Sequence, residues 1–495
     1  MAAVKILGLL GTGVIGAGWA ARALHFGVNV IAADTNPAME TALRAAIANA
    51  EPALARLVSA PLPAKGQLSF TTDLAQMARS ADFIQENIPE QLELKQRVLA
   101  DISRMTSPEV IIASSTSGLM PSDLQRTLAG PERFCVAHPF NPVYLLPLVE
   151  LVGGKLTSQA TLQRASEYLT YIGMHPLLVR REVPGHLTDR LQEALWREIL
   201  HMINDGTATT RELDESLIYG PGLRWAGMGT NLIYHLAGGE AGMRHMLEQF
   251  GPCLKWPWTR LEAPELTETL IDRMVEGTQE QAAGRSIREL ERLRDDYLVA
   301  IQQVLREFNL GAGATLRSLE ARLAADAAAA TRQRSGDATG PTRVLDGHVR
   351  PEWIDYNGHM TESRYLQVFG DASDALFLLL GADESYRQRV GSFFTLETHL
   401  THQKELKLSE RFFVSTQILA TDSKRLHLFH RMHRDKDLAV VATAEQAHLH
   451  VSSTTRRAVP IEAPVAAKLD SLARAHAQLA APPERGRSIG LGPRR

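Results

Sequence analysis

The segment Gly11-x-Gly13-x-x-Gly16, with Val14 and Ile15 between its last two glycines, limits the fold more than any other stretch. Alone, such a triplet is a weak signal. Here Val4–Leu10 before it is an apolar run that reads as a strand. Ala17–Phe26 after it is alanine-rich and reads as a helix. Val28–Ala33 is a second apolar run, closed by Asp34 eighteen residues beyond Gly16. In that context the glycines provide a tight turn, close approach to a pyrophosphate and close helix–strand packing. The helix start adds free N–H groups and partial positive charge. Asp34 is placed to accept from ribose hydroxyls and to repel a 2′-phosphate, so the cofactor expected is NAD rather than NADP. Ala81–Gln85, Val110–Ala113 and Phe134–Ala137 are further short apolar runs separated by helix-like sequence. Strands alternating with helices predict a parallel α/β sheet of Rossmann type over residues 1–185.

At 495 residues the chain is too long for a single core. Its net charge of −3 gives no basic field for nucleic acid or an anionic membrane. Cys135 and Cys253 lie far apart and outside any metal-type spacing, which suits a reduced, cytoplasmic protein without metal. No stretch has the length and apolarity of a membrane span. Met1–Leu10 resembles a leader, but glycines follow it where a small-residue cleavage site is expected, and it reads better as the first strand.

The texture changes after Pro184-Gly185. Leu187, Leu191, Leu195 and Ile199 repeat every four residues, and helical sequence dominates to about residue 308. An all-helical domain is expected over 186–320. An Ala/Thr/Arg/Gly-rich linker, helical in its first half, is expected over 321–342. A compact α+β unit is expected over 343–460. Its helix is Tyr365–Leu380, and its strands are Phe393–Leu400, Arg411–Leu419, Arg425–His433 and Ala439–His450. Residues 461–495 read as a flexible tail.

His138-Pro139-Phe140-Asn141-Pro142 follows an apolar run, and Leu148-Val149-Glu150 comes shortly after. A turn between two neighbouring segments lets His138 and Glu150 meet. A carboxylate beside an imidazole fixes its tautomer and strengthens it as a base for a secondary alcohol. Ser117 follows another strand end, where ligands bind in such sheets.

Together, the glycine triplet, Ser117, His138-x-x-Asn141-Pro142, Leu148-Val149-Glu150 and Pro184-Gly185 closely resemble the 3-hydroxyacyl-CoA dehydrogenase superfamily over residues 1 to about 300. The resemblance implies a His138–Glu150 acid/base pair. It implies Ser117 and Asn141 as partners of the substrate oxygen or of His138, and Glu90 and Lys95 on the cofactor side. Gly220-Pro-Gly-Leu-Arg-Trp-Ala226 and Gly251-Pro-Cys-Leu-Lys-Trp-Pro-Trp258 resemble segments of bacterial L-carnitine dehydrogenases. That branch implies a 3-hydroxy acid bearing a quaternary ammonium group. Aromatic faces hold such a cation, and the candidates are Tyr144, Trp225, Trp256 and Trp258.

Val349–Met360, with Asp355-x-x-Gly358-His359 ahead of the amphipathic helix, resembles the hotdog-fold acyl-CoA thioesterases. The resemblance implies Asp355 as nucleophile or general base. Backbone amides from Gly358 to Met360 would polarise the thioester carbonyl. The whole reading is a multidomain, bifunctional homodimer acting on L-carnitine and betainyl-CoA. Two alternatives stay open: a 3-hydroxyacyl-CoA or other 3-hydroxy acid dehydrogenase with a general acyl-CoA thioesterase, and a crystallin-like NAD-binding structural protein.

Overall fold

The computed structural model describes residues 4–58, 60–262, 264–334, 340–350, 353–408 and 410–487, with backbone alone for 327–334. The chain divides into two compact units, Met1–Ser59 with Pro63–Glu320, and Ala321–Arg495 with Ala60–Leu62.

The first unit is built on an eight-stranded sheet of order β3-β2-β1-β4-β5-β6-β7-β8. The strands are β1 (Ile6–Leu10), β2 (Asn29–Ala33), β3 (Leu68–Thr71), β4 (Phe83–Glu86), β5 (Ile111–Ser114), β6 (Phe134–Pro139), β7 (Leu148–Val152) and β8 (His175–Val179). β1 to β6 pair in parallel, in the doubly wound order of a dinucleotide-binding domain. β7 then runs antiparallel to β6. The stretch between them, 140–147, is too short for a crossover helix, so the chain has to turn back. Strands β3, β7 and β8 were not expected from the sequence. β3 has only four residues, none fully buried, and β8 carries several exposed positions. Neither shows the apolar run that marks a core strand.

After β8 the unit is helical. Thr188–Asn204, Thr210–Ile218 and Glu268–Ala282 share a small core of Leu200, Ile203, Leu213 and Leu270. Ile287–Phe308 packs back on the Met39–Leu57 helix of the nucleotide-binding part. Leu191, Leu223, Leu254, Trp256 and Trp258 remain exposed. The helix Gly311–Arg334 starts at the Gly311-Ala-Gly break and runs well into the stretch expected as a linker. Residues 335–339 of that stretch lie outside the described residues.

The second unit is a five-stranded antiparallel sheet, β10-β13-β12-β11-β9. Its strands are β9 (Thr342–His348), β10 (Gly391–His402), β11 (Arg411–Thr421), β12 (Arg425–Arg434) and β13 (Val440–Ser452). The helix Glu362–Leu380 lies on it and buries a stripe of Tyr365, Val368, Phe369, Ala372, Leu376, Phe377 and Leu380. That three-and-four spacing is a helix with one apolar face. One expectation is corrected here: residues 465–476 are not a flexible tail. Val465–His476 is a helix whose Val465 and Leu469 enter the same core. Its last residue, His476, accepts from the Ile418 amide at 2.9 Å and meets the Thr342 hydroxyl at 3.1 Å. The Ala- and Arg-rich composition hid an i, i+4 apolar pair.

Candidate active sites

The glycine loop joins β1 to the helix Val14–His25. Gly11 has φ +85°, which favours glycine. A Cβ on Gly16 would collide with the Gly11 carbonyl oxygen, whereas one on Gly13 would meet open space. Gly13 caps the helix without a side-chain bond, leaving its first amides open to an anion. Asp34, at the end of β2, accepts from the Thr12 amide and hydroxyl at 3.1 and 2.9 Å, which aims its carboxylate across the loop. These residues fit a dinucleotide: a bare helix start for the pyrophosphate and an oriented acceptor for the ribose. Val14, on the first turn, is exposed, and Ile15 is half-buried.

His138 and Glu150 are direct cross-strand partners in the β6–β7 ladder. Opposed residues put their side chains on the same face, and Glu150 Oε2 lies 3.0 Å from His138 Nδ1. Both residues are buried. Glu150 Oε1 accepts from the amides of Leu187 and Thr188 at 3.0 and 2.8 Å, and from the Thr188 hydroxyl at 3.1 Å. Burial alone would push its carboxyl up. The bonds from His138, Thr188 and Leu187 outweigh that and hold it below the ordinary carboxylate range. An ionised carboxylate only accepts, so Nδ1 carries the hydrogen and Nε2 is left as the basic atom. Phe140 packs edge-on to the imidazole at 4.7 Å, and His186 lies at 5.5 Å on another side.

Neither residue lines the cleft of about 1220 Å³ nearby, but Asp189, 3.6 Å from His138 Nε2, does. Ser117, Glu90, Asp189, Glu193 and Trp196 line it. Glu90 accepts from the Thr116 hydroxyl and from the amides of Ser117 and Gly118, fixing the loop that carries Ser117. Burial raises the Glu90 pKa, but the Thr116 bond and the Lys95 charge prevail and keep it low. Lys95 is almost wholly buried. Its Nζ donates to Glu86 Oε1 at 2.6 Å and to the Ile88 carbonyl at 3.0 Å, with Glu90 at 3.4 Å. Its observed contacts brace the segment that carries Glu90.

Asn141 and Tyr144 line a different cavity, of about 290 Å³, beside Thr12, Gly13 and Val14. The Tyr144 hydroxyl donates to Asp295 at 2.5 Å and accepts from Arg294 at 3.2 Å. Trp225, Trp256 and Trp258 line neither cavity and are exposed. Trp256 and Trp258 pack edge to face at 5.1 Å. The structure therefore does not bring the expected aromatic group around His138. The tryptophan that does line the cleft, Trp196, was not expected, and neither was Asp189. Both lie on the Thr188–Asn204 helix, whose four-residue apolar repeat drew attention away from its polar face.

In the second unit, Asp355 sits in the loop between Ile354 and Met360, which form an isolated antiparallel bridge. Its Oδ1 accepts from the Asn357 amide at 2.8 Å. His359 Nε2 lies 2.9 Å from Glu405. Tyr365, in the first turn of the long helix, accepts the Leu406 amide at 3.2 Å. The expected amide cradle is narrower than anticipated. The Gly358 amide donates to the Asp355 carbonyl and the Met360 amide to the Leu406 carbonyl. The turn and the bridge use these two donors, leaving the amide of His359 between them.

The doubly wound sheet, the glycine loop and the His138–Glu150 pair define an NAD-dependent dehydrogenase of the 3-hydroxyacyl-CoA dehydrogenase type. Residues 6–183 match the NAD-binding domain of that family and 185–284 its C-terminal domain, while 349–469 match the thioesterase-like superfamily. The L-carnitine dehydrogenase/betainyl-CoA thioesterase of Rhizobium meliloti (strain 1021) is 46% identical over 486 residues, covering 97% of this chain and 98% of that one. An L-carnitine dehydrogenase from a Pseudomonas species is 55% identical over 302 residues, 61% of this chain and 94% of that one. A solved NAD-dependent dismutase, 5-formyl-3-hydroxy-2-methylpyridine 4-carboxylic acid 5-dehydrogenase, is 25% identical with a TM-score of 0.52, covering 61% of this chain and 98% of that one. The chain belongs to the family of fused L-carnitine dehydrogenase/betainyl-CoA thioesterases.

Proposed function

We propose that the first unit oxidises L-carnitine to 3-dehydrocarnitine and that the second hydrolyses betainyl-CoA to glycine betaine and CoA. One observation carries the reading: a relative bearing both activities in its name aligns over nearly the whole chain.

His138 Nε2 takes the proton of the 3-hydroxyl, and Glu150 stabilises the imidazolium that forms. Ser117 and Asn141 hydrogen-bond the substrate oxygen or His138, and Glu90 fixes the Ser117 loop. Gly11, Gly13, Val14, Ile15, Gly16 and Asp34 would hold NAD, with Glu90 and Lys95 on the cofactor side. When bound, NAD accepts the hydride from the carbinol carbon. Tyr144 reaches substrate only if its bonds to Asp295 and Arg294 yield. Trp225, Trp256 and Trp258 belong to the exposed apolar surface of the helical part, which we assign to self-association as a homodimer. In the second unit Asp355 takes a proton from a water whose oxygen adds to the thioester carbonyl, or attacks that carbonyl itself to form an anhydride that water then hydrolyses. The C–S bond breaks, the thiolate of CoA takes up a proton from that water, and glycine betaine leaves as the carboxylate. Among the described residues no helix is long and apolar enough to cross a membrane. Two free cysteines fit a reducing, cytoplasmic setting.

The test is a screen of NAD reduction with L-carnitine, D-carnitine, 3-hydroxybutyrate and 3-hydroxybutyryl-CoA, with thiol release from betainyl-CoA read in parallel. Turnover of L-carnitine and of betainyl-CoA is the expected result. Preference for 3-hydroxybutyryl-CoA overturns the dehydrogenase assignment.

A further inference from the structure

His138 faces carboxylates on both sides. Glu150 lies 3.0 Å from Nδ1, and Asp189 Oδ2 lies 3.6 Å from Nε2, the atom that must receive the substrate proton. The two acids differ in every other respect. Glu150 is fully buried and its other oxygen is filled by three donors. Asp189 is 33% exposed and lines the open cleft with Ser117. Among the described residues Asp189 has no Lys or Arg within ion-pair distance, and the basic group nearest it at that range is the His138 ring. Burial raises its carboxyl, and the charges of Glu150 and Glu193 raise it further against the pull of His138 and His186. An acid in that setting gains from any cation that reaches it.

The position on the helix is equally telling. Asp189, Glu193 and Trp196 follow one another at spacings of four and three, so they share one face of Thr188–Asn204, and all three line the cleft. Glu193 is paired with Arg197, at 3.2 Å. That leaves Asp189 as the unneutralised acid beside the base, with the indole of Trp196, 44% exposed, two turns along. A carboxylate here repels an anionic acyl chain end and attracts a cationic one.

We propose that Asp189 is the residue that selects a quaternary ammonium substrate: it faces the positive charge carried on the carbon next to the reacting carbinol, with Trp196 supplying apolar and cation–π surface on the same wall. The inference rests on the reading of the first unit as a carnitine dehydrogenase and names the group behind its specificity. A quaternary ammonium has no hydrogen to donate, so its recognition depends on charge and apolar contact. In a half-buried cleft a carboxylate supplies the charge at far greater strength than in water.

The experiment compares L-carnitine with its neutral carbon isostere, 3-hydroxy-5,5-dimethylhexanoate, in the unsubstituted protein, Asp189→Asn and Asp189→Glu. Asn keeps shape and hydrogen bonding and removes the charge. The expected result for Asp189→Asn is a KM for L-carnitine raised about thirty-fold or more, with the neutral isostere changed by less than about threefold. Asp189→Glu should retain the preference for the cation. NAD affinity and thermal unfolding, measured on the same samples, establish that the variants are folded. Equal loss of kcat/KM for both substrates overturns the proposal, because Asp189 would then act through His138 alone. An unchanged preference for L-carnitine in Asp189→Asn overturns it as well. A protein that, unsubstituted, oxidises the neutral acid and ignores L-carnitine overturns the functional reading itself, a result visible before any variant is made.

Discussion

Glu150 sits directly across the antiparallel ladder from His138, with 3.0 Å between carboxylate and imidazole. The ladder sets this geometry through backbone pairing, before any side-chain choice is made. The pair therefore belongs to the fold as much as to the chemistry.

Replacing the base isolates the chemical step. His138→Ala should lower kcat for L-carnitine oxidation by about a thousandfold or more, because among the described residues no other imidazole near the cleft is paired with a carboxylate. NAD binding should be nearly unchanged, since the bonds and ring contacts of His138 go to Glu150, Asp189, Phe140 and His186 rather than to the glycine loop or Asp34. Fluorescence titration of NAD alongside steady-state kinetics checks both statements; loss of NAD binding would contradict the role assigned.

Glu150→Gln should cost both rate and stability. The variant amide weakens the hold on Nδ1 and on the Leu187 and Thr188 amides, and a loss of about 1–3 kcal/mol is expected for charged hydrogen bonds of this kind. The sign with pH follows from the depressed carboxyl. A group held below its ordinary value stabilises the fold above that value and ceases to do so as pH falls through the folded one. The stability gap between the two proteins should be constant from neutral pH to the ordinary carboxylate range, and should narrow below it. Urea unfolding at a series of pH values measures it.

Two glycines one helical turn apart should respond differently. Gly16→Ala brings a methyl group against the Gly11 carbonyl, so the loop must deform and the unit should lose thermal stability. Gly13→Ala meets nothing in the protein and should unfold at nearly the original temperature. Its methyl group stands at the open helix start, and weaker NAD binding is expected. Melting curves with and without NAD separate the two effects.

Asp355→Asn should abolish thiol release from betainyl-CoA and leave NAD reduction intact. Both rates can be read from one preparation. Joint loss in a protein that remains folded would argue against independent chemistry in the two units.

Much of this was legible in the sequence. The glycine loop and Asp34 announce themselves because their chemistry demands particular residues at fixed spacing. His138 and Glu150 are legible because a short turn between two neighbouring segments can bring them together. Asp189 was not legible. An acidic residue in the first turn of a helix is what the helix dipole favours anywhere, so nothing marked this one as facing an active site. Trp225, Trp256 and Trp258 misled for the opposite reason. Their clustering in sequence suggested a box, but they lie on short segments that present them outward. Lys95 is expected on the cofactor side, yet its shortest bond is to Glu86, a partner that no motif marks. The helix Val465–His476 was lost in Ala- and Arg-rich composition.

The second unit should be acid-sensitive. His430 and His448 are buried beneath the long helix, and burial lowers their pKa to about 3 and about 4. His430 touches the Thr416 and Ser373 hydroxyls, at 2.7 and 3.0 Å. Histidines kept neutral in the fold take up protons on unfolding once pH drops below about 6.5. Stability should therefore fall with pH through that window, by up to about 1.4 kcal/mol per unit for each histidine, and level off only below the folded values. His430→Gln should flatten the profile, which thermal unfolding of the second unit from pH 7 to pH 4 measures.

Glu150 has one further consequence. One of its oxygens orients the base, and the other holds the first residues of the helical part through Leu187 and Thr188. The same carboxylate is thus a latch between sheet and helix and a sight for the catalytic atom. A ligand in the cleft that shifts the helix Thr188–Asn204 pulls on the side chain that aims His138. The orientation of the His138 ring is thereby tied to the seating of that helix on the sheet.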